Sequence, residues 1–415
     1  MIWEWFIARR LALRGTGANG SLSLTIAQVG IVLSLVVMIL AITIVTGFKD
    51  EVSGKIYNLD AHVKITNSLL GNPDQEVNTI NYAEVANILK NEPTISARIK
   101  NVSLVVEKSA VIKTDSDFCG VICRGVDNGF NWDYFSNALV DGRLPKSSEQ
   151  NEVIISRTIA RKMNLGVGDR VYAYFIDDRM RARRPVIVGV YNTDFETFDE
   201  TILLCNIALL QGVNGWNRDT GNYVAVNLRD VNNIWQDSHD IYSALSRHVV
   251  NDNLPSLFNV SNTQIANQQF FSWLGMLDMN VVVILTLMMI VAMFTLVAAL
   301  LMIVLERIRL IGVLKAQGAT NGAVRRVFLL LTGKLILSSV IIGNVLGLGL
   351  AWIQKHFHIL ALDPEAYYMP WVSITINPTA ILLLNLGVIL VSYLTLIAPS
   401  HIISSIKPTT TLRYE

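Results

Sequence analysis

The chain lacks the short patterns on which covalent chemistry usually rests. No Gly-x-x-x-x-Gly-Lys-Ser/Thr phosphate loop occurs in its 415 residues, which excludes ATP binding in that manner. His-Glu-x-x-His and Gly-x-Ser-x-Gly are absent as well, which removes the zinc-protease and nucleophile-elbow chemistries. Cysteine is scarce: Cys119, Cys123 and Cys205 are odd in number, so at least one has no partner within the chain. Cys119 and Cys123 fall on one expected strand, too far apart along it to bond to each other. His62, His239, His248, His356, His358 and His401 are scattered without ligand spacing, so no metal and no cofactor is expected. His356 and His358 flank Phe357 in what reads as a water-facing loop. Charge is low, at 16% of residues, and balanced, with 34 basic against 33 acidic side chains. With no basic tail and no aromatic-basic interleaving, nucleic acid is not an expected partner.

Apolar residues, at 52% of the chain, take the place of charge, and their distribution sets the class. They concentrate in four runs, 26–48, 279–305, 335–353 and 379–398. Each suffices to cross a hydrocarbon layer of about 30 Å as a helix rising about 1.5 Å per residue. Helices are expected because a spanning backbone must satisfy its own polar groups. Arg9, Arg10 and Arg14 precede the first run. Arg307, Arg309, Lys315, Arg325, Arg326 and Lys334 lie between the second and third, and Lys407 and Arg413 follow the fourth. That bias puts both termini and the basic connection in the cytosol, and the stretch 49–275 outside. Lys334 is expected to snorkel to the cytosolic surface. The first run is too long for a signal peptide and has no small-x-small site after it, so it reads as a retained anchor. Trp3, Trp5 and Phe6 mixed with Arg9 and Arg10 suit a helix lying in the membrane interface.

The fold class expected is therefore an α-helical integral membrane protein of four transmembrane helices, with a large α+β periplasmic domain inserted between helices 1 and 2. The boundaries expected are an interfacial segment 1–25, spans 26–48, 276–305, 327–353 and 379–398, the periplasmic domain 49–275, a cytosolic segment 306–326, a periplasmic loop 354–378 and a cytosolic tail 399–415. Within the domain, 82–90 reads as a short helix and 102–113 and 118–125 as paired strands. Residues 152–156 read as a strand and 158–163 as a helix. The strand 171–176 is expected to take 186–191 as its hairpin mate across a polar tip. Residues 230–249 read as a helix, and 262–276 as another that runs straight into the second span.

Several motifs have more than one reading. Gly15-Thr16-Gly17-Ala18-Asn19-Gly20 matches a dinucleotide fingerprint, but it lacks the strand–turn–helix context and reads as a flexible elbow. Asp194, Glu196, Asp199 and Glu200, set among Phe195 and Phe198, read as a solvated loop rather than a carboxylate pair. The basic connection is more specific. Ile308, Ile311, Leu314 and Ala319 form a partial apolar stripe, with Arg307, Arg309 and Lys315 pointing elsewhere. Gly318 is placed to end that helix in the left-handed region, and Thr320 or Asn321 to cap the next.

Glu306-Arg307-x-Arg309-x-Ile311-Gly312-x-x-Lys315-x-x-Gly318-Ala319-Thr320 resembles the coupling region of FtsX-like permeases, the membrane subunits of one class of ABC transporter. Thr46-Gly47-Phe48-Lys49, Asp141-Gly142-Arg143 and Leu165-Gly166-Val167-Gly168-Asp169 resemble the outer domain those permeases share. The resemblance spans essentially the whole chain. One span, a large outer domain and three further spans match the plan of the lipoprotein-releasing branch, the LolC/LolE type. It implies that Glu306, Arg307, Arg309, Ile311, Gly312, Lys315, Gly318 and Ala319 couple to a separate ATPase subunit. Many members carry an acidic residue where Leu310 stands here.

The same resemblance implies a hairpin of the outer domain that recruits a periplasmic lipoprotein chaperone. Its positional counterpart carries Arg179, Met180, Arg181, Arg183 and Arg184, for which a solvated turn is the alternative reading. By analogy Met38, Ile42, Val45, Phe48, Met276, Met279 and Val283 line an apolar cavity for acyl chains, though packing against lipid accounts for the same residues. The expectation is a non-enzymatic permease subunit in a bacterial inner membrane. A second permease subunit, identical or paralogous, and an ABC-type ATPase would be its partners, and acylated lipoproteins its cargo. The alternatives are an exporter of small hydrophobic compounds or peptides, and a non-transporting scaffold that regulates a cell-wall hydrolase.

Overall fold

A computed structural model describes residues 18–67, 79–114, 117–146, 151–176, 180–251 and 257–400. The expected interfacial helix of Trp3 to Leu11, the basic residues Arg9, Arg10, Arg14, Lys407 and Arg413, and Arg179 lie outside the described residues. The chain divides into two compact units, Met1–Asp50 with Trp273–Ala361 and Trp371–Glu415, and Glu51–Ser272 with Leu362–Pro370.

The first unit is built on four long helices, Ala18–Leu59, Gln268–Glu306, Asn321–Phe357 and Pro378–Ser400. All are long and apolar enough to cross a membrane. Ala18, Asn19 and Gly20, expected in an elbow, already belong to the first helix. Ile31, Leu35 and Ile39 of that helix pack with Leu296, Leu300, Phe328, Ile336 and Val340 in one buried cluster. Small residues let the third helix approach the first: a Cβ on Gly343 would stand 2.8 Å from Leu35 Cδ2. The third and fourth helices are joined by a reciprocal amide pair. Asn344 Nδ2 donates to Asn385 Oδ1 at 2.7 Å, and Asn385 Nδ2 donates back at 3.0 Å. In hydrocarbon each amide satisfies the other.

The second unit is α+β. Its strands are β1 Val63–Asn67, β2 Ile80–Asn81, β3 Ile99–Lys113, β4 Phe118–Val126, β5 Leu139–Gly142, β6 Glu152–Ser156, β7 Tyr172–Ile176, β8 Met180–Arg183, β9 Val186–Tyr191, β10 Ile202–Asn206, β11 Thr220–Gly221, β12 Tyr223–Leu228 and β13 Phe258–Asn262. The main sheet runs β13-β1-β12-β3-β4-β10-β6-β9-β5, with β7 on the far part of β3 and β8 on β7. The pairs β4–β10 and β6–β9 are parallel and the remainder antiparallel. Burial alternates along β3 and β4, so Ala110, Ile112, Cys119, Val121 and Cys123 face the core. All three cysteines are buried and free, and burial pushes the Cys123 thiol up to about 12.

Four expectations are corrected. The mate of β7 is β8, not β9; the chain before β7 meets the start of β9 through the Arg170–Val186 bridge and the Gly168–Ile187 and Asp169–Ile187 backbone hydrogen bonds, while β9 itself is taken by β5 and β6. Burial on both sides made 186–191 a better central strand than a hairpin arm. The helix expected from residue 230 starts at Ile234. The helix expected to run unbroken from 262 into the second span is interrupted. A short turn Thr263–Ala266, capped by the Asn262 side chain, ends at Asn267, and the long helix starts at Gln268. The acidic stretch is not a solvated loop: Glu196–Asp199 is a helical turn and Asp199 is buried.

Arg124, on β4, is the charged centre of this unit. Its Nε donates to Glu107 Oε1 at 2.6 Å and its Nη1 to the Leu59 carbonyl at 2.8 Å, with Asp60 at 3.9 Å. Tyr223 Oη donates to the same Glu107 oxygen at 2.9 Å. These acceptors raise the affinity of Arg124 for its proton further and keep it charged despite its burial.

Candidate functional site

Three places answer to the expectations above, each within one unit. The first is the basic turn. The second long helix ends at Glu306, and a short helix Ile308–Ala316 follows. Gly318, at φ +90°, closes it: its N–H donates to the Lys315 carbonyl and the Ala319 N–H to that of Leu314, both at 3.0 Å. This double bond pattern is the left-handed helix stop that glycine favours. Thr320 Oγ1 then accepts from the Ala323 N–H and starts the third long helix.

Ile311 and Gly312 are buried against the bundle, while Arg309, Val313, Ala316, Gln317 and Gly318 are exposed. So of the eight residues expected to couple, Ile311 and Gly312 hold the short helix in place. Val313 and Gln317, which sequence reasoning passed over, share the free side with Arg309. Their spacing of four residues was the available signal. A Gly318→Val substitution puts a β-branched side chain in the left-handed region, at a cost of about 1–2 kcal/mol. Tryptic cleavage after Lys315 is expected to become several-fold faster, and an unchanged cleavage rate would contradict the role given to Gly318.

The second place is the basic hairpin. Arg181 donates to the Val213 carbonyl and Arg183 to that of Gly212 (3.4 Å), both at the end of the helix Ile207–Asn214. The Arg184 guanidinium lies 4.8 Å from the ring centre of Tyr172. Three of the expected docking arginines are therefore engaged in the fold, and Met180, 68% exposed, is a large apolar side chain presented outward beside them. Sequence reasoning took the stretch for a tip because its arginines hid the strand β8.

The third place is the proposed acyl cavity. Met38 is fully buried in the cluster of the first unit, whereas Met276 and Met279 are 66% exposed and Val283 57%. Ile42, Val45 and Phe48 are half-buried. The two sets lie on neighbouring helices: Phe48 meets Trp273 edge-on at 5.6 Å, and Lys49 Nζ sits 2.7 Å from Asp278. Met38 is packing; the other six are half-buried or exposed.

A fourth cluster had no counterpart in the sequence reading. Lys55 Nζ donates to the Thr193 carbonyl at 2.9 Å and to the Tyr368 carbonyl at 2.8 Å, and the Tyr368 ring lies 4.9 Å from Phe195. Asp199 accepts from Thr193 N (3.0 Å) and Oγ1 (2.8 Å). The segment Leu362–Pro370, from the connection between the third and fourth helices, thus belongs to the α+β unit. Burial, helped by Asp194, pushes the Asp199 carboxyl up to about 6, against the Thr193 bonds and Lys55. An acid raised on folding binds more protons folded than unfolded, so its contribution falls as pH rises from about 4 to about 6. Asp199→Asn removes that fall. The thermal stability of the variant relative to wild type is expected to grow across this window by on the order of 3 kcal/mol, then level off. A difference independent of pH would contradict it.

Comparison with known proteins finds two matching families. Residues 24–241 match the MacB-like periplasmic core domain and residues 282–408 the FtsX-like permease C-terminal domain. Among curated proteins, the chain is 22% identical over 424 residues to a lipoprotein-releasing system transmembrane protein LolC from Xylella fastidiosa (strain 9a5c), covering 97% of each. It is 20% identical over 425 residues to the LolC of Neisseria meningitidis serogroup B, again covering 97% of each. Among solved structures, the periplasmic region of MacB from Actinobacillus actinomycetemcomitans aligns with a TM-score of 0.35 at 15% identity, covering 52% of this chain and 95% of that one.

Proposed function

Since the chain belongs to the FtsX-like permeases that carry a MacB-like periplasmic core domain, a family of ABC transporter membrane subunits, we propose that it extracts acylated lipoproteins from the inner membrane. They would pass to a periplasmic carrier, with a separate ATPase subunit supplying the energy. The observation that carries this reading is the full-length match to two curated LolC proteins, which extends through both units.

Physical chemistry agrees with the need for a motor. Drawing acyl chains from a bilayer costs about 0.8 kcal/mol per methylene, tens of kcal/mol for several chains. In this reading the ATPase grips the free side of Ile308–Ala316, namely Arg309, Val313 and Gln317, flanked by Lys315 and Gly318. Tilting of the short helix is passed to the bundle through Ile311 and Gly312. The connection at Asn267, between the long helix and the sheet, is where bending would occur. Acyl chains enter beside Ile42, Val45 and Phe48 on one helix and Met276, Met279 and Val283 on the next, where methionine adapts to variable cargo. The carrier docks on the exposed Met180 end of the β7–β8 hairpin. Both termini face the cytosol, the α+β unit faces the periplasm, and a second permease subunit completes the pair.

Affinity purification in mild detergent tests this. An ATPase subunit and acylated lipoprotein should co-purify with the wild type, and Met180→Asp should lose the carrier while keeping the ATPase. Recovery of an outer-membrane duct or a cell-wall hydrolase in place of lipoprotein would favour the exporter or the scaffold.

A further inference from the structure

We propose that the cleft between the first three long helices, at the end where Glu306 stands, binds the headgroup of an anionic glycerophospholipid. The inference rests on the membrane orientation given above, but not on the cargo. Arg307 and Lys334 both line the cleft, with Glu306 beside them and Phe328, Leu331 and Leu335 forming an apolar wall. Gln28 Nε2 and Ser338 Oγ, 3.3 Å apart, add uncharged polar groups on the side of the first helix.

Depth in the bilayer supports a lipid. Asn385 lies near the middle of the apolar stretch Pro378–Ile397, and its partner Asn344 fixes the same level on the third helix. Lys334 stands ten residues (344 − 334) nearer the cytosolic end, about 15 Å at 1.5 Å per residue. Half of a hydrocarbon layer of about 30 Å is the same distance, so the ammonium is at the headgroup boundary. Lys334 makes no ion pair among the described residues, whereas Glu306 and Arg307 have further contacts of their own. With two cations and the single carboxylate of Glu306 lining the cleft, the ammonium of Lys334 lacks a counter-charge in ion-pair contact among the described residues. A phosphodiester on Lys334 and Arg307 supplies it, and acyl chains can lie along Leu331 and Leu335. The three charged side chains sum to +1 (two cations, one carboxylate), which a headgroup of charge −1 neutralises and a zwitterionic one does not. Hydroxyls on that headgroup could donate to Glu306 and exchange hydrogen bonds with Gln28 and Ser338. Basic pockets between spans on the cytosolic side are suited to such lipids. Because Glu306 and Arg307 lead directly into Ile308–Ala316, a lipid seated here would brace the turn that meets the motor.

Native mass spectrometry of the full complex, delipidated and then given phosphatidylglycerol or phosphatidylethanolamine, tests the site. We expect about one tightly held phosphatidylglycerol per chain, and at least a five-fold lower occupancy in Lys334→Gln. The cleft-filling Ser338→Leu should lower it too, while Lys355→Gln, at the other end of the same helix, should not. Inorganic phosphate at millimolar concentration should leave the lipid in place. Equal retention by wild type and Lys334→Gln, equal retention of the two lipids, or displacement by free phosphate would each overturn the proposal. Lipid retention is read without cargo or hydrolysis, so a missing ATPase would defeat the proposed function and leave this result standing.

Discussion

Arg309→Glu combined with Val313→Glu is expected to cut the affinity for the ATPase subunit by at least roughly 30-fold. Both side chains are exposed on the free side of Ile308–Ala316, so neither substitution disturbs a buried contact in the chain itself. A central interface residue is worth about 2 kcal/mol or more when lost, and every 1.4 kcal/mol is about tenfold. Reversing one charge and adding another removes complementarity as well as contact. Co-purification measured against the amount of permease, with Lys355→Glu as a distant control, reads the effect. Unchanged recovery would mean that the motor grips elsewhere.

The second large effect is on stability. Arg124→Met leaves Glu107 and Asp60 without their shared cation inside the α+β unit, and leaves the Leu59 carbonyl without its donor. Removing one partner of a buried ion pair costs about 3–5 kcal/mol, which for a unit of this size lowers Tm by roughly 6–20 °C. The chain carries its own reporter. Cys119, Cys123 and Cys205 are buried and free, so a thiol-reactive dye reads only the opened state. Lys49→Met is the control: its partner Asp278 is 63% exposed, and such pairs contribute about 0–1 kcal/mol. Equal melting of the two variants would contradict the central role of Arg124.

How much was legible in the sequence varied with the kind of physical signal. The spans were legible because a helix in lipid must be apolar all round, and no packing detail can reverse that. Gly318 and Thr320 were legible because left-handed stops and caps are local chemistry. Strand pairing was less so. The alternation of 186–191 could be read as a hairpin arm, and only the neighbouring strands β5 and β6 show it to be interior. The arginines of β8 looked like a solvated tip because sequence shows charge but not the helix carbonyls waiting across the sheet. Asp199, Lys55 and Tyr368 come from segments far apart in the chain, and no periodicity links them. Asn262 and Asn267 broke a helix that composition alone would have continued, since a cap and a stop are made from residues that also occur in helices.

The most direct measurement is lipoprotein release in proteoliposomes that contain the permease, its co-purified ATPase and an acylated lipoprotein, with a soluble carrier outside. Transfer of the lipoprotein to the carrier on addition of ATP, and its loss in Arg309→Glu/Val313→Glu, is the outcome predicted. ATP hydrolysis at the wild-type rate with the lipoprotein still held in the membrane would contradict it.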